Sequence, residues 1–146
     1  MLDSNIYTFA VPIARAIAAL VLAVLLGIVG GWIAITINAF AGFSWSPEVY
    51  RNTYLVGIGL GAGAGGYLAW MDLTPGWFWI VVGVAVVLMG GVAGSFAGYA
   101  YGRVAEESYM GRAYTIDSHI HLGAALGGFG VATILGVFRE IRTLGR

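Results

Sequence analysis

The sequence predicts an all-α integral membrane protein whose four transmembrane helices pack through rows of glycine. Hydrophobic residues make up 60% of its 146 residues and charged residues only 10%, whereas soluble domains carry about 25% charged residues. Charge-free apolar stretches long enough to span a bilayer occur four times. Glycines recur at every fourth position within them, a spacing typical of helices packed closely in lipid. We expect residues 1–146 to form a single membrane domain.

Charges and turn residues delimit the predicted spans. A spanning helix needs about 20 apolar residues, and the four stretches that meet this length are residues 16–38, 53–71, 77–101 and 118–138. A turn at residues 72–76 separates the second span from the third. Residues 2–14 are apolar but contain Pro12. We interpret them as a lead-in at the membrane interface, or as a first turn that tilts into the first helix.

Both termini lie on the same side in this topology, because the number of crossings is even. That side carries Arg15 and the three arginines of the C-terminal tail, and the opposite side carries Arg51, Arg103 and Arg112. Cytoplasmic loops carry an excess of basic residues. The difference predicts both termini on the cytoplasmic side of a bacterial inner membrane, or of an organellar equivalent.

Glycine rows are the strongest motif in the chain. Residues four apart lie on one face of a helix, and a face without side chains lets another backbone approach closely. We interpret the rows as contact faces, either within this chain or toward a partner chain. Val86 and Val87 are expected to face lipid. The predicted packing residues are Gly27, Gly31, Gly57, Gly61, Gly65, Gly90, Gly94, Gly98, Gly102, Gly123 and Gly127.

The two halves of the chain also resemble each other. Gly31 aligns with Gly94, and Gly61 aligns with Gly123. This similarity predicts two tandem helical hairpins, related by an axis along the membrane normal. A sequence rich in glycine and alanine can produce the same resemblance by composition alone.

One glycine row is similar to that of a known family. Gly90 to Gly102 at four-residue spacing, followed by Arg103, resembles the glycine row in a membrane helix of the Tim family. These are four-span mitochondrial membrane proteins with relatives among respiratory accessory subunits. The resemblance covers one helix of the four, and it implies the same four-span architecture.

His119 and His121 stand at the start of the fourth span, close to Asp117. Two residues apart on a helix, they point about 200° away from each other and do not chelate one metal ion. Haem or a chlorophyll-type pigment needs a single imidazole, and His119 lies on the face of Gly123 and Gly127, where a flat ring could approach. The alternative is that both are interface residues. We expect bound lipid, no metal and no other cofactor, with the ring cofactor as the alternative.

Residues that other functions require are missing from the sequence. Cysteine is absent and the formal net charge is zero, which leaves no thiolate chemistry and no basic surface for nucleic acid. The spans contain no acidic residue at mid-depth for a proton relay. The charges collect in the connections, where we expect them to dock a partner or to solvate the loops. They are Glu48, Arg51, Arg103, Glu106, Glu107, Arg112 and Asp117.

These observations predict a non-catalytic structural or accessory subunit of a multi-subunit membrane complex. Its expected partners are other membrane protein subunits and lipid. The first alternative is a small homo-oligomeric channel or carrier whose pore forms between chains. The second alternative is a membrane subunit that holds haem or a pigment through His119 or His121.

Overall fold

The structure is a computed structural model that describes residues 3–41, 45–70, 76–108 and 114–144. Side chains are described for residues 10–41, 45–70, 76–105 and 116–140. The protein is all-α, as the sequence predicts. Its four helices are α1 (Asp3–Ala41), α2 (Pro47–Ala69), α3 (Trp77–Ser108) and α4 (Tyr114–Leu144).

The first helix begins earlier than the sequence predicted. α1 is continuous from Asp3 through Pro12, so residues 3–14 belong to the same helix as the first span rather than to a separate lead-in. Proline removes one backbone hydrogen bond. In an apolar surrounding the remaining backbone groups still need internal partners, and a helix provides them.

Within the described part of the chain, three helices are long and apolar enough to cross a membrane. Their apolar stretches are Ala10–Ala41, Trp77–Ala105 and Ile116–Glu140. α2 is less apolar, because Glu48 and Arg51 occupy its first turns and glycine occupies much of the rest. Its 23 residues still rise about 35 Å, enough for the hydrocarbon core. α2 runs antiparallel to both α1 and α3, so it carries the chain back across the layer that they span.

Each helix packs antiparallel to the next, and α2 and α4 form the parallel central pair. Both central helices contact all three of the others, whereas the described parts of α1 and α3 do not contact each other. The bundle is therefore rhomboid in section, with α1 and α3 on opposite flanks. This arrangement buries α2 on several sides, and it explains why α2 does not need the hydropathy of a helix that faces lipid.

Backbone contact between glycine faces holds α1 against α2. A methyl group built on Gly30 would overlap the carbonyl oxygen of Gly57, and one on Gly61 would overlap that of Leu26. One turn further, a methyl group on Gly65 would overlap the carbonyl oxygen of Leu22. No residue larger than glycine fits these positions without separating the two helices.

The second hairpin is packed in the same way. Methyl groups built on Gly94 and Gly98 would overlap the carbonyl oxygens of Gly123 and His119, and one on Gly127 would overlap that of Gly90. Each hairpin thus has a side-chain-free seam running along its two helices. In lipid, where helix association depends on van der Waals contact, such seams maximise the contact area between backbones.

The structure relates the two hairpins by a register that differs from the sequence alignment. Gly30 faces the carbonyl oxygen of Gly57 and the Cα of Gly61, just as Gly94 faces those of Gly123 and Gly127. Gly30 is therefore equivalent to Gly94, one residue away from the predicted Gly31. Gly61 is equivalent to Gly127, one helical turn away from the predicted Gly123. Glycines that repeat every four residues make registers one turn apart nearly indistinguishable in sequence.

The contact between the central helices supports this register. It makes Ala62 of α2 equivalent to Gly128 of α4, and these two positions touch: a methyl group on Gly128 would lie 2.6 Å from the carbonyl oxygen of Ala62. Equivalent residues meet each other only at a two-fold axis. The tandem hairpins are thus related by a pseudo-two-fold axis that runs between α2 and α4.

Val87 is buried, and the expectation that it faces lipid was wrong. Only 1% of Val87 is exposed, because α3 has two contact faces rather than one. Gly90, Gly94 and Gly98 face α4, whereas Val87 and Leu88 face Gly63 of α2. Val86 is more exposed but lines a cavity.

Large apolar side chains cover the outside of the bundle. On α1 the buried positions are small residues such as Ala19, Ala23 and Ala34, while Trp32 is 68% exposed and Phe40 is 89% exposed. The outer faces of α3 and α4 carry further exposed aromatic and aliphatic residues. A contiguous apolar surface of this extent is unfavourable in water and is satisfied by lipid, so the fold is that of a membrane protein.

We expect Gly94→Leu to lower the free energy of unfolding by about 1–3 kcal/mol, since it inserts a side chain into a backbone contact. The matched control is Gly130→Leu. Gly94 lies inside α3 and Gly130 lies inside α4, but a methyl group on Gly130 would have no neighbour within 4 Å. Both variants replace a glycine inside a helix by leucine, so the difference between their free energies of unfolding measures packing. Unfolding in mixed micelles by titration with SDS provides the measurement, and equal effects of the two variants would contradict the packing assignment.

Candidate functional site

Polar side chains gather at the two ends of the bundle, separated by a charge-free layer. α4 has no charged residue between Asp117 and Arg139, a stretch that rises about 33 Å and so matches the hydrocarbon core of about 30 Å. We call the group at the end where α2 and α4 begin the polar cap. Its members are Asn38, Arg51, Tyr54, Tyr99, Asp117, His119 and His121.

The start of α2 positions three residues of this end. Ser46 is the N-cap residue, its hydroxyl accepts a hydrogen bond from the backbone N–H of Val49 at 3.4 Å, and Pro47 opens the helix. These are favoured choices for a helix N-terminus. This N-cap hydrogen bond fixes the residue at which α2 begins, so the side chains of Tyr50, Arg51 and Tyr54 point in defined directions from the helix axis.

Tyr54 links α2 to α4 at the polar cap. Its hydroxyl donates a hydrogen bond of 2.7 Å to Oδ1 of Asp117. The ring of Tyr54 also meets the ring of His121 edge to face, with 6.4 Å between centroids. Asp117 and His121 are four residues apart on α4 and share one helix face, so a single tyrosine contacts both.

Arg51 links α2 to α3. Its guanidinium lies 5.3 Å from the ring centroid of Tyr99 and donates to the hydroxyl of that residue at 3.5 Å. Arg51 also donates to Oδ1 of Asn52 at 3.4 Å, and Arg103 is a second positive neighbour of the Tyr99 hydroxyl. A cation over an aromatic face is attracted by the ring quadrupole, so the cap ties α2 to α3 as well as to α4.

Asn38 links α1 to α2 at the same level. Its amide nitrogen donates to the backbone carbonyl of Tyr50 at 3.1 Å. Its Oδ1 is buried and accepts no hydrogen bond within the described part of the chain.

The two histidines point to different neighbours, as their spacing predicts. The ring of His119 lies 5.2 Å from that of Tyr101 on α3, whereas His121 faces Tyr54 on α2. The face on which we expected a flat cofactor to approach His119 is occupied, because Gly123 and Gly127 contact the α3 backbone. Among the side chains of residues 10–41, 45–70, 76–105 and 116–140, no three from His, Asp or Glu are placed to hold a metal ion.

The charged residues predicted to dock a partner have different positions. Arg51 and Asp117 are engaged in contacts between helices, while Glu48 and Arg103 are exposed. Two others, Glu106 and Glu107, lie on α3, and their side chains are outside the described set. Arg112 lies outside the described residues altogether.

The opposite end of the bundle has its own polar contacts. Arg15 of α1 forms an ion pair with Glu140 of α4, with 3.0 Å between Nη1 and Oε1. Arg15 also lies 5.9 Å from the ring centroid of Trp70. Trp70 is 8% exposed, and its ring lies against Gly136, where a methyl group would overlap it. This arrangement ties α1, α2 and α4 together.

A cavity of about 490 Å³ opens beside Trp70, between α2, α3 and α4. Its walls are mostly aromatic and aliphatic, and Arg139 contributes the charge among its lining residues. Ligand pockets typically have volumes of about 300–1,000 Å³ and predominantly apolar walls. The cavity is therefore the second candidate site of the molecule.

Several of these residues escaped sequence reasoning. The hydroxyl of Ser95 is fully buried and lies within hydrogen-bond distance of two carbonyl oxygens, that of Leu55 on α2 at 2.8 Å and that of Val92 in its own helix at 2.7 Å. A single serine in an apolar stretch does not reveal its partner. The pair Arg15–Glu140 was not predicted either, although both residues stand at the same end of antiparallel helices.

No family model, curated protein or solved structure matches the chain. Its class is defined by its own fold, which is that of an all-α membrane protein. The glycine row of α3 followed by Arg103 stays a resemblance to the Tim family in spacing, and it identifies no site residue.

The hydrogen bond between Tyr54 and Asp117 should stabilise the polar cap. In a double-mutant cycle of Tyr54→Phe and Asp117→Asn, we expect a coupling of about 0.5–1.5 kcal/mol in the free energy of unfolding. The exposure of Asp117 keeps this value low despite its charge. Unfolding by SDS titration of the four proteins provides the measurement, and strictly additive effects would show that the bond contributes nothing.

Proposed function

We propose that this protein is a non-catalytic structural or accessory subunit of a multi-subunit membrane complex, with other membrane subunits and lipid as its neighbours. The observation that carries the proposal is the packing of the glycine rows. Their close contacts lie within the chain, so the chain forms a rigid body without needing a partner for these faces. What remains for neighbours is the outer apolar surface.

The flank helices support a scaffolding role. α1 uses its small residues against α2 and presents large residues such as Leu25, Ile28 and Trp32 outward. It contacts α2 and α4 but not the described part of α3, so most of its circumference is open. A long, exposed and rigidly held helix offers neighbouring subunits a continuous surface for van der Waals contact.

The interior of the bundle favours this proposal over transport through one chain. Its centre contains the fully buried side chains of Leu55, Ile58, Val87 and Ser95. The charged groups of the two ends are separated by this apolar packing. A pore would therefore have to form between chains, as the channel hypothesis already required.

Reconstitution and native electrophoresis test the proposal together. In native membranes solubilised with mild detergent, we expect the 15.3 kDa chain to migrate in a much larger complex that contains other proteins. Two differently tagged copies distinguish such a complex from a homo-oligomer. Liposomes that contain only this protein should show no ion flux. Reproducible unitary currents together with a pure homo-oligomer would favour the channel and overturn the proposal.

We further propose that both termini face the cytoplasm of a bacterial inner membrane, or the equivalent compartment of an organelle. The chain has no cysteine, so single cysteines report without background. Ser46→Cys, at the exposed start of α2, should react with an impermeant thiol reagent from outside intact cells. Gly76→Cys, before α3, should react only after the membrane is opened. The reverse pattern would invert the orientation, and labelling of both from one side would contradict the topology.

A further inference from the structure

The cavity beside Trp70 exists because α3 and α4 separate toward one end. Along the seam a methyl group on Gly90 would already lie 2.6 Å from Cγ2 of Val131, whereas one on Gly83 would meet only Cε2 of Tyr67, at 3.6 Å. From Gly90 toward the start of α3, the seam is therefore lost and a wedge-shaped space remains. Tyr67 and Trp70 of α2 form its inner wall.

The outer rim of this space faces the membrane. Trp79 and Phe138 line the cavity and are 67% and 66% exposed, and Leu135 is also an exposed lining residue. Tryptophan is enriched where the hydrocarbon core meets the headgroups. An occupant can thus enter sideways from the bilayer, without crossing the headgroup layer from the aqueous phase.

The chemistry of the walls changes along the cavity. The inner part is lined by apolar residues such as Val86, Val87 and Ala132, and Arg139 lies two turns further along α4 from Ala132. Arg15 and Glu140 pair at the same end of the bundle. Among the described side chains at this end, Arg15 and Arg139 are positive and Glu140 is negative. Their sum is a net positive charge at the level of the lipid headgroups. Arginine binds phosphate through several N–H groups in a planar fork.

We infer that this cavity binds one anionic phospholipid from the surrounding bilayer. An acyl chain occupies the apolar wedge between α3 and α4, and the phosphate lies beside Arg139. The occupant is a lipid because the opening faces hydrocarbon and the walls are apolar. It is anionic because the charged residue among the described lining residues is Arg139. All lining residues belong to this chain, so a test of the lipid site is independent of the subunit function proposed above.

Native mass spectrometry of the purified protein tests the site. The protein is incubated in detergent with equal amounts of phosphatidylglycerol and phosphatidylcholine. We expect one phosphatidylglycerol to be retained per chain under collisional activation. Arg139→Gln should reduce the preference for phosphatidylglycerol about tenfold, the size expected for the loss of one charge-assisted hydrogen bond.

Gly83→Leu separates the cavity from the general apolar surface. Its added side chain has room to enter the wedge, so the variant should fold, with a monodisperse peak in detergent, and should lose the retained lipid. Gly130→Leu is the matched control, since Gly130 is not among the lining residues and has no neighbour within 4 Å. Retention of phosphatidylglycerol by Gly83→Leu at the level of the control would overturn the site. Equal retention of the two lipids by the unmodified protein would overturn its anionic character.

Discussion

The architecture depends on contact between bare helix backbones. Gly30 against Gly57 and Gly94 against Gly123 bring carbonyl oxygens to where a side chain would otherwise begin. In a bilayer, lipid tails are as apolar as the side chains of the helices. Helix association is therefore stabilised by close van der Waals contact rather than by removal of apolar surface from water. Removing side chains from one face of each helix maximises this contact, and it leaves the large apolar residues on the opposite faces for lipid.

The position of α2 follows from the same constraint. A helix with small residues on several faces can have close neighbours on several sides, and α2 packs against α1, α3 and α4. Its low hydropathy is compatible with spanning because few of its surfaces meet lipid. Helices at the flanks have the opposite composition, with one small-residue face and wide apolar outer surfaces. The polar groups are left for the ends, where Tyr54, Arg51 and Asn38 each tie α2 to a different helix.

The two hairpins are alike along their glycine seams and differ at the ends of their helices. The molecule therefore departs from two-fold symmetry at the two ends of the bundle. The cavity beside Trp70 lies at one of these ends, where α3 and α4 separate. A methyl group on Gly83 would meet only Tyr67 there. The polar cap and the cavity, which distinguish this protein from a plain helical bundle, therefore lie at the two ends of the bundle rather than in its centre.

The sequence by itself determined the class of the fold, the number of helices and their approximate limits, because apolar length and glycine spacing are local properties that lipid makes decisive. It also determined that His119 and His121 point to different sides of α4. Only the tertiary structure decided which neighbour each face meets. A glycine row looks the same in sequence whichever helix it contacts, which is why the repeat register was displaced by one turn and Val87 was assigned to lipid. Pairs such as Arg15 with Glu140, and the cavity beside Trp70, join residues far apart in the chain, and only the packed bundle brings them together.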